Sequence, residues 1–142
     1  MRWHEMMPGL PKNWRETAER VNADVNAIPY KADIPGVDDW ADIGPDGGDC
    51  DNYAIGKLRR LLAAGFPIER LRLATCFVGG TGPRDRGEAH AVLVIDVPDD
   101  HYVLDNRFAV IVPVFHLIGN GYTLESIQAV GGSHEWIKWK HA

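Results

Sequence analysis

The sequence predicts an α+β fold, with N-terminal helices packed on an antiparallel β-sheet. Two observations carry this. Apolar residues recur at helical spacing before residue 65, whereas after residue 70 short β-branched runs are separated by turn residues. Helices come first and strands afterwards, which is the segregated order of an α+β domain rather than the alternation of a parallel α/β sheet. At 142 residues the chain has the length of one domain. It is read as a single domain over residues 1–142, with residues 1–12 an extension ahead of the first helix.

The elements follow in order. Over residues 13–27, Trp14, Thr17, Ala18, Val21, Val25 and Ile28 recur at spacings of three and four, the stripe of an amphipathic helix. Pro29 ends it. Residues 31–48 hold Pro35, Gly36, Gly44, Pro45, Gly47 and Gly48 among several aspartates and read as loop. Asp49 is a good N-cap for a second helix, whose apolar stripe is Ala54, Ile55, Leu58, Leu61 and Leu62. Gly65 and Pro67 stop it. Residues 71–78 read as a strand and the glycine-rich residues 79–87 as a long loop. Residues 89–97 form the strongest strand, and a turn at 98–100 follows. Residues 101–104 and 108–112 read as strands, residues 124–130 as a short helix or strand, and residues 134–140 alternate around Trp136 and Trp139 in a way that closes a sheet.

Composition narrows the function. Apolar residues make up 45% and charged residues 25%, and the net charge is −5. A phosphate backbone needs a basic field, so a nucleic-acid partner is not expected. The small arginine groups (Arg59 with Arg60, Arg70 with Arg72, Arg84 with Arg86) read as solvated surface. No run approaches the roughly 18 apolar residues of a membrane span. The first residues lack the basic start and apolar core of a signal peptide, which favours a cytoplasmic or phage-associated setting over a periplasmic one. Two cysteines do not make a disulfide scaffold.

Those two cysteines differ in setting. Cys76 lies in an apolar strand and reads as core. Cys50 follows a glycine-rich loop and opens a helix, flanked by Asp49, Asp51 and Asn52. A helix N-terminus carries partial positive charge and N–H groups without intrahelical acceptors, which favour a thiolate and can bind an oxyanion. The two aspartates oppose this by their charge. A thiol nucleophile needs a histidine base and a group to orient it. His4, His134 and His141 lie near the termini, His116 has no acid nearby in sequence, and His101 reads as an exposed turn residue. His90 opens the strongest strand, at the mouth of the sheet, and is the candidate base. Asp105, at the end of the next strand, is the candidate orienter. If the two strands pair as a hairpin, His90 and Asp105 need not be exact partners across it, and a bulge or splayed end could still bring them together. A zinc site from the same three residues is disfavoured, because separations of 40 and 15 residues match no compact zinc motif.

Together, Gly48-Asp49-Cys50-Asp51-Asn52-Tyr53-Ala54, Leu71-Arg72-Leu73, His90-Ala91-Val92-Leu93 and Val103-Leu104-Asp105-Asn106 resemble the bacterial transglutaminase-like cysteine peptidase family. Asn22, Asn26, Tyr30 and Trp40 fit the upstream part of the pattern, and the likeness covers roughly residues 14–115. It implies a papain-like α+β fold and a catalytic triad of Cys50, His90 and Asp105 acting on a protein or peptide through a thioester. It also implies calcium beside the cysteine, with Asp49 and Asp51 as the matching ligands, although Asn52 stands where the family often has an acid. The oxyanion donors expected are the Cys50 backbone N–H and a second group, for which Trp40 is the candidate. The same triad could serve transglutamination, deamidation or peptidoglycan amide cleavage. The fold could also persist as a non-catalytic binding module, a reading that the intact Cys, His and Asp disfavour.

Overall fold

A computed structural model describes residues 9–31, 41–45, 47–98, 100–132 and 134–140. Trp40, most of the proposed extension (residues 1–8) and Asp99 of the expected turn lie outside the described residues. The order of elements is α1 (Trp14–Asn26), α2 (Cys50–Ala63), a 3₁₀ turn (Ile68–Arg70), β1 (Leu71–Gly82), β2 (Asp85–Val97), β3 (Asp100–Leu104), β4 (Val112–Pro113), α3 (Val114–Ile118), β5 (Tyr122–Gln128) and β6 (Trp136–Lys138). The strands form one six-stranded sheet in the order β4-β3-β2-β1-β5-β6, and every neighbouring pair is antiparallel. The expected α+β architecture is the observed one.

Alternation along the strands divides the core in two. Leu71, Leu73, Leu93, Ile95 and Leu104 pack with Trp14 and Ala18 of α1 and Ala54 and Leu61 of α2. Ala74, Cys76, Val92, Val94 and Val103 pack on the other face with Val114 and Leu117 of α3, Tyr122 and Trp139. Cys76 is therefore core, as its apolar setting predicted, and both thiols are free.

Several expectations are corrected. Residues 79–87 are not a long loop: β1 runs to Gly82 and β2 starts at Asp85, with a register shift between Gly79 and Gly82. Gly79 and Gly87 pair across the ladder, so the glycines shape an extended hairpin rather than break it. Residues 108–111 are not strand, and β4 is only Val112–Pro113. Their backbone is claimed by α1 instead: Asn22 and Asn26 donate to the Phe108 carbonyl, and the Ile111 N–H donates to Glu19 Oε1 at 2.8 Å. Residues 114–118 form a helix that strand-like composition concealed. The open choice at residues 124–130 resolves as strand β5, and only three residues of 134–140 join the sheet, as edge strand β6. His101 is not a bare turn residue. It bonds Asp96 Oδ1 at 3.1 Å and accepts from the Trp139 indole at 3.1 Å, which pins the last segment to the sheet.

The chain reaches α2 through a narrow passage. The Lys31 N–H donates to the Gly48 carbonyl at 2.7 Å, and Tyr30 stacks on Tyr53 of α2. Gly47 has φ +112°, and a Cβ there would lie 2.4 Å from the Pro29 carbonyl oxygen. Only glycine fits. Gly47→Ala is expected to cost at least ~2 kcal/mol, from backbone strain and the steric clash together. Because this passage delivers the chain to Cys50, alkylation of that thiol should also slow. A denaturation curve and an iodoacetamide time course check both, and a variant like the parent in each would show that the passage yields freely.

Candidate active site

Asp49 caps α2. Its side chain accepts from the Asn52 N–H, and Asn52 Oδ1 accepts from the Asp49 N–H at 3.0 Å, a reciprocal capping box. Asn52 also donates to the Ala41 carbonyl at 2.8 Å. Its place in the motif is thus structural: an amide both accepts and donates, which a carboxylate cannot do. The cap uses the N–H groups of Asp49 and Asn52, and the N–H of Cys50, the first residue of the helix, has no acceptor within the helix.

Cys50 sits against the start of β2. The Ala91 N–H points at its sulfur, and the thiol donates to Asp51 Oδ1 at 3.7 Å. Cys50 and His90 line a common cleft with Tyr30, Val78, Glu88, Ala89, Asn106 and Arg107. The thiol is pushed up to about 12, first by burial and then by the charges of Asp51 and Asp49, against a lowering by the Ala91 N–H. The helix N-terminus was expected to favour the anion. Burial and the two aspartates outweigh it, so thiolate formation at neutral pH requires a base or a compensating cation.

His90 and Asp105 do meet, and no bulge is needed. β2 and β3 pair Leu93 with Leu104 and Val94 with Val103 without a register shift. Continuing that register sets Asp105 opposite Val92, so His90 is its diagonal neighbour on the same face, within reach of a long side chain. His90 Nε2 lies 2.7 Å from Asp105 Oδ1, and both side chains are buried. Burial works to raise the Asp105 carboxyl, but three donors outweigh it and hold it below the usual carboxylate range. They are His90, the Tyr122 hydroxyl at 2.6 Å from Oδ2, and the Arg107 N–H at 2.9 Å from Oδ1. An ionised Asp105 accepts, so Nε2 carries the proton and Nδ1 is the nitrogen left for proton transfer.

Tyr122 was not singled out from the sequence. It arrives through β5, whose pairing sets it opposite Val78 on the face that carries Cys76 and His90. Its ring also meets His90 edge-on at 5.9 Å. Nothing local marks it, since the contact depends on which strand β5 chooses as its neighbour.

Of the two residues expected to bind calcium, Asp49 is 7% exposed and commits one oxygen to the helix cap, while Asp51 lies beside the thiol. Two carboxylates that both raise the thiol pKa are a hard-oxygen donor set with charge to be offset, which fits a hard cation. Among the described residues no group of three or more acidic, His or Cys side chains is arranged around a metal, so the rest of a shell would come from backbone carbonyls and waters. Asp42 of the preceding acidic loop is turned to another part of α2. It sits beside Gly56, two turns along α2, near Arg59.

A thiol at a helix start, beside a buried histidine–carboxylate pair on an antiparallel sheet, is the arrangement of a papain-like cysteine peptidase. The chain matches the model of the bacterial transglutaminase-like cysteine proteinase (BTLCP) family over residues 4–142 and belongs to that family. It is a cysteine peptidase, and its substrates are proteins or peptides. Among solved structures it is similar to LapG of Legionella pneumophila, with a TM-score of 0.64 and 25% identity over 92% of this chain and 74% of that one. The calcium-bound form of LapG gives 0.65 and 24% over 93% and 80%, and the EGTA-treated form gives 0.63 and 22% over 96% and 78%. No curated protein sequence matches significantly.

Proposed function

We propose that Cys50, His90 and Asp105 are the catalytic triad of this peptidase. The observation that carries the reading is the 2.7 Å His90–Asp105 bond beside a thiol that shares the cleft and receives the N–H of the next residue, Ala91. His90 Nδ1 takes the Cys50 proton as the sulfur attacks the scissile carbonyl carbon. The tetrahedral oxyanion forms at the start of α2, where the Cys50 N–H donates to it. Collapse breaks the C–N bond, and the imidazolium returns its proton to the leaving amine. Water, deprotonated by the neutral imidazole, then hydrolyses the thioester and regenerates the thiol. A peptidyl vinyl sulfone followed by peptide mapping tests the nucleophile. Cys50 is expected to be modified and Cys76, 1% exposed in a core strand, to be spared. Modification of Cys76 first would overturn the assignment.

Asp49 and Asp51 are proposed to hold a calcium ion. The support is their opposing effect on the thiol and the calcium-bound form of the similar LapG. A bound cation would offset the carboxylate charge beside Cys50 and favour its thiolate. A chelator is expected to lower both the melting temperature and the rate of Cys50 alkylation, with calcium restoring them better than magnesium. Calorimetry without calcium binding at millimolar concentration, together with alkylation indifferent to chelator, would leave the capping box as the whole role of Asp49.

A further inference from the structure

Lys57 stands out on the inward stripe of α2. It lies one turn from Tyr53 and one from Leu61, both core residues, and is itself 0% exposed. Its ammonium makes no hydrogen bond or ion pair among the described residues. A methionine would fill the same volume without taking a charge out of water. The catalytic steps above do not use it.

Three other buried side-chain atoms also have no hydrogen-bond partner among the described residues: Asn22 Oδ1, Asn26 Oδ1 and Asn106 Oδ1. All three are acceptors, and an ammonium carries three donors and no acceptor. The amide nitrogens of the α1 pair are already committed to one segment. Asn22 and Asn26 donate to the Phe108 carbonyl at 3.2 and 3.1 Å, and Asn26 also donates to the Asp105 carbonyl at 3.2 Å. Helix side chains thus grip the turn 105–108, which Phe108 N–H to Asp105 C=O closes at 3.2 Å. The acid whose charge acts on Lys57 is Asp105, and it partly offsets the burial that lowers the lysine to about 7.

We propose that Lys57 is a positioning residue: its buried ammonium, together with Asn22 and Asn26, holds the turn 105–108 in place and so keeps the Asp105 carboxylate aligned with His90. The proposal rests on the triad reading and adds to it a residue that touches neither the thiol nor the substrate. A lysine that served only to fill the core would be replaced by methionine without functional loss. A lysine that positions Asp105 is an unpaired buried charge kept at the expense of stability. Stability and activity should therefore respond to Lys57→Met in opposite directions.

The test compares Lys57→Met, Asp105→Asn and the double variant with the parent. Three quantities are read: the iodoacetamide rate at Cys50, the melting temperature, and the downfield proton resonance of the His90 Nε2–H in its bond to Asp105. Lys57→Met is expected to alkylate at least tenfold more slowly, to lose or shift that resonance, and to melt at the parent's temperature or above it. The double variant should be no slower than Asp105→Asn. Parent-like alkylation and resonance in Lys57→Met would overturn the proposal, as would a loss of rate accompanied by a fall in melting temperature, or effects that multiply in the double variant. Parent-like alkylation in Asp105→Asn would instead remove the triad reading, and this proposal with it. If Lys57→Met does not fold, the Nζ resonance of Lys57 decides in the parent and in Asp105→Asn. Its titration midpoint should fall when the carboxylate is lost, and an unchanged midpoint would overturn the proposal.

Discussion

His90→Ala and Cys50→Ala are each expected to abolish peptide hydrolysis, and the variant carrying both should be no worse than either alone. The reason is that the two side chains perform one event. A thiol pushed up to about 12 is almost entirely protonated at neutral pH, so a nucleophile exists only when His90 accepts its proton. Removal of either partner removes the same step, and groups that act as a unit are not additive. The loss should be at least ~10³-fold in kcat, leaving what the helix start contributes alone. The His90 side chain is close to fully buried, so alanine also leaves a small cavity. Melting curves of both variants must accompany the kinetics, and a His90→Ala protein that folds and turns over at the parent's rate would remove His90 from the reaction.

Asp105→Asn should produce the second largest effect, a fall of roughly 10³–10⁴-fold in kcat. In the parent, Asp105 accepts from His90, Tyr122 and the Arg107 N–H. An amide presents one oxygen and two donor hydrogens in the same space. With its oxygen toward His90 and Arg107, the amide turns its NH2 on the Tyr122 hydroxyl; turned the other way, it sets the NH2 against the His90 and Arg107 N–H groups. In both orientations the negative charge that stabilises the imidazolium is gone. The same change should alter the response to acid. Asp105 is held below the usual carboxylate range, so its stabilising contribution is complete above about pH 4, the ordinary carboxylate value, and is lost as pH falls through its lower folded value. The parent should therefore lose stability below about pH 4 more steeply than Asp105→Asn does. Parallel stability curves through this range would show that the carboxylate charge is not what the site stabilises.

What could be read from the sequence follows from how local each determinant is. The helix from Cys50 was legible because its cap, stripe and stop all lie within seventeen residues, Asp49 to Gly65. The strand of His90 was legible because its apolar run belongs to it alone. The meeting of His90 with Asp105 was half legible. Strand order brought them to neighbouring positions, but the diagonal register that joins them could be read only once Leu93 was seen to face Leu104. The hairpin at Gly79–Gly87 was misread because glycine marks a loop and a bulged ladder equally well. Residues 108–111 were misread because β-branched composition does not reveal that Glu19, Asn22 and Asn26 of a distant helix will claim their backbone groups. Tyr122 and Lys57 were missed for a related reason. Tyr122 bonds an acid 17 residues away along the chain, and Lys57 lies within the charge influence of the same acid 48 residues away, and no local pattern records such relations.

The pH dependence of Cys50 alkylation by iodoacetamide, measured in the parent and in His90→Ala, tests the central claim most directly because it needs no knowledge of the substrate. With His90 as proton acceptor, the parent should react rapidly near neutral pH. In His90→Ala the thiol has lost its base and keeps the burial and the two neighbouring aspartates that push it up to about 12. Its alkylation should be slow at neutral pH and rise only in strongly alkaline solution. Two superimposable profiles would contradict the pairing of Cys50 with His90.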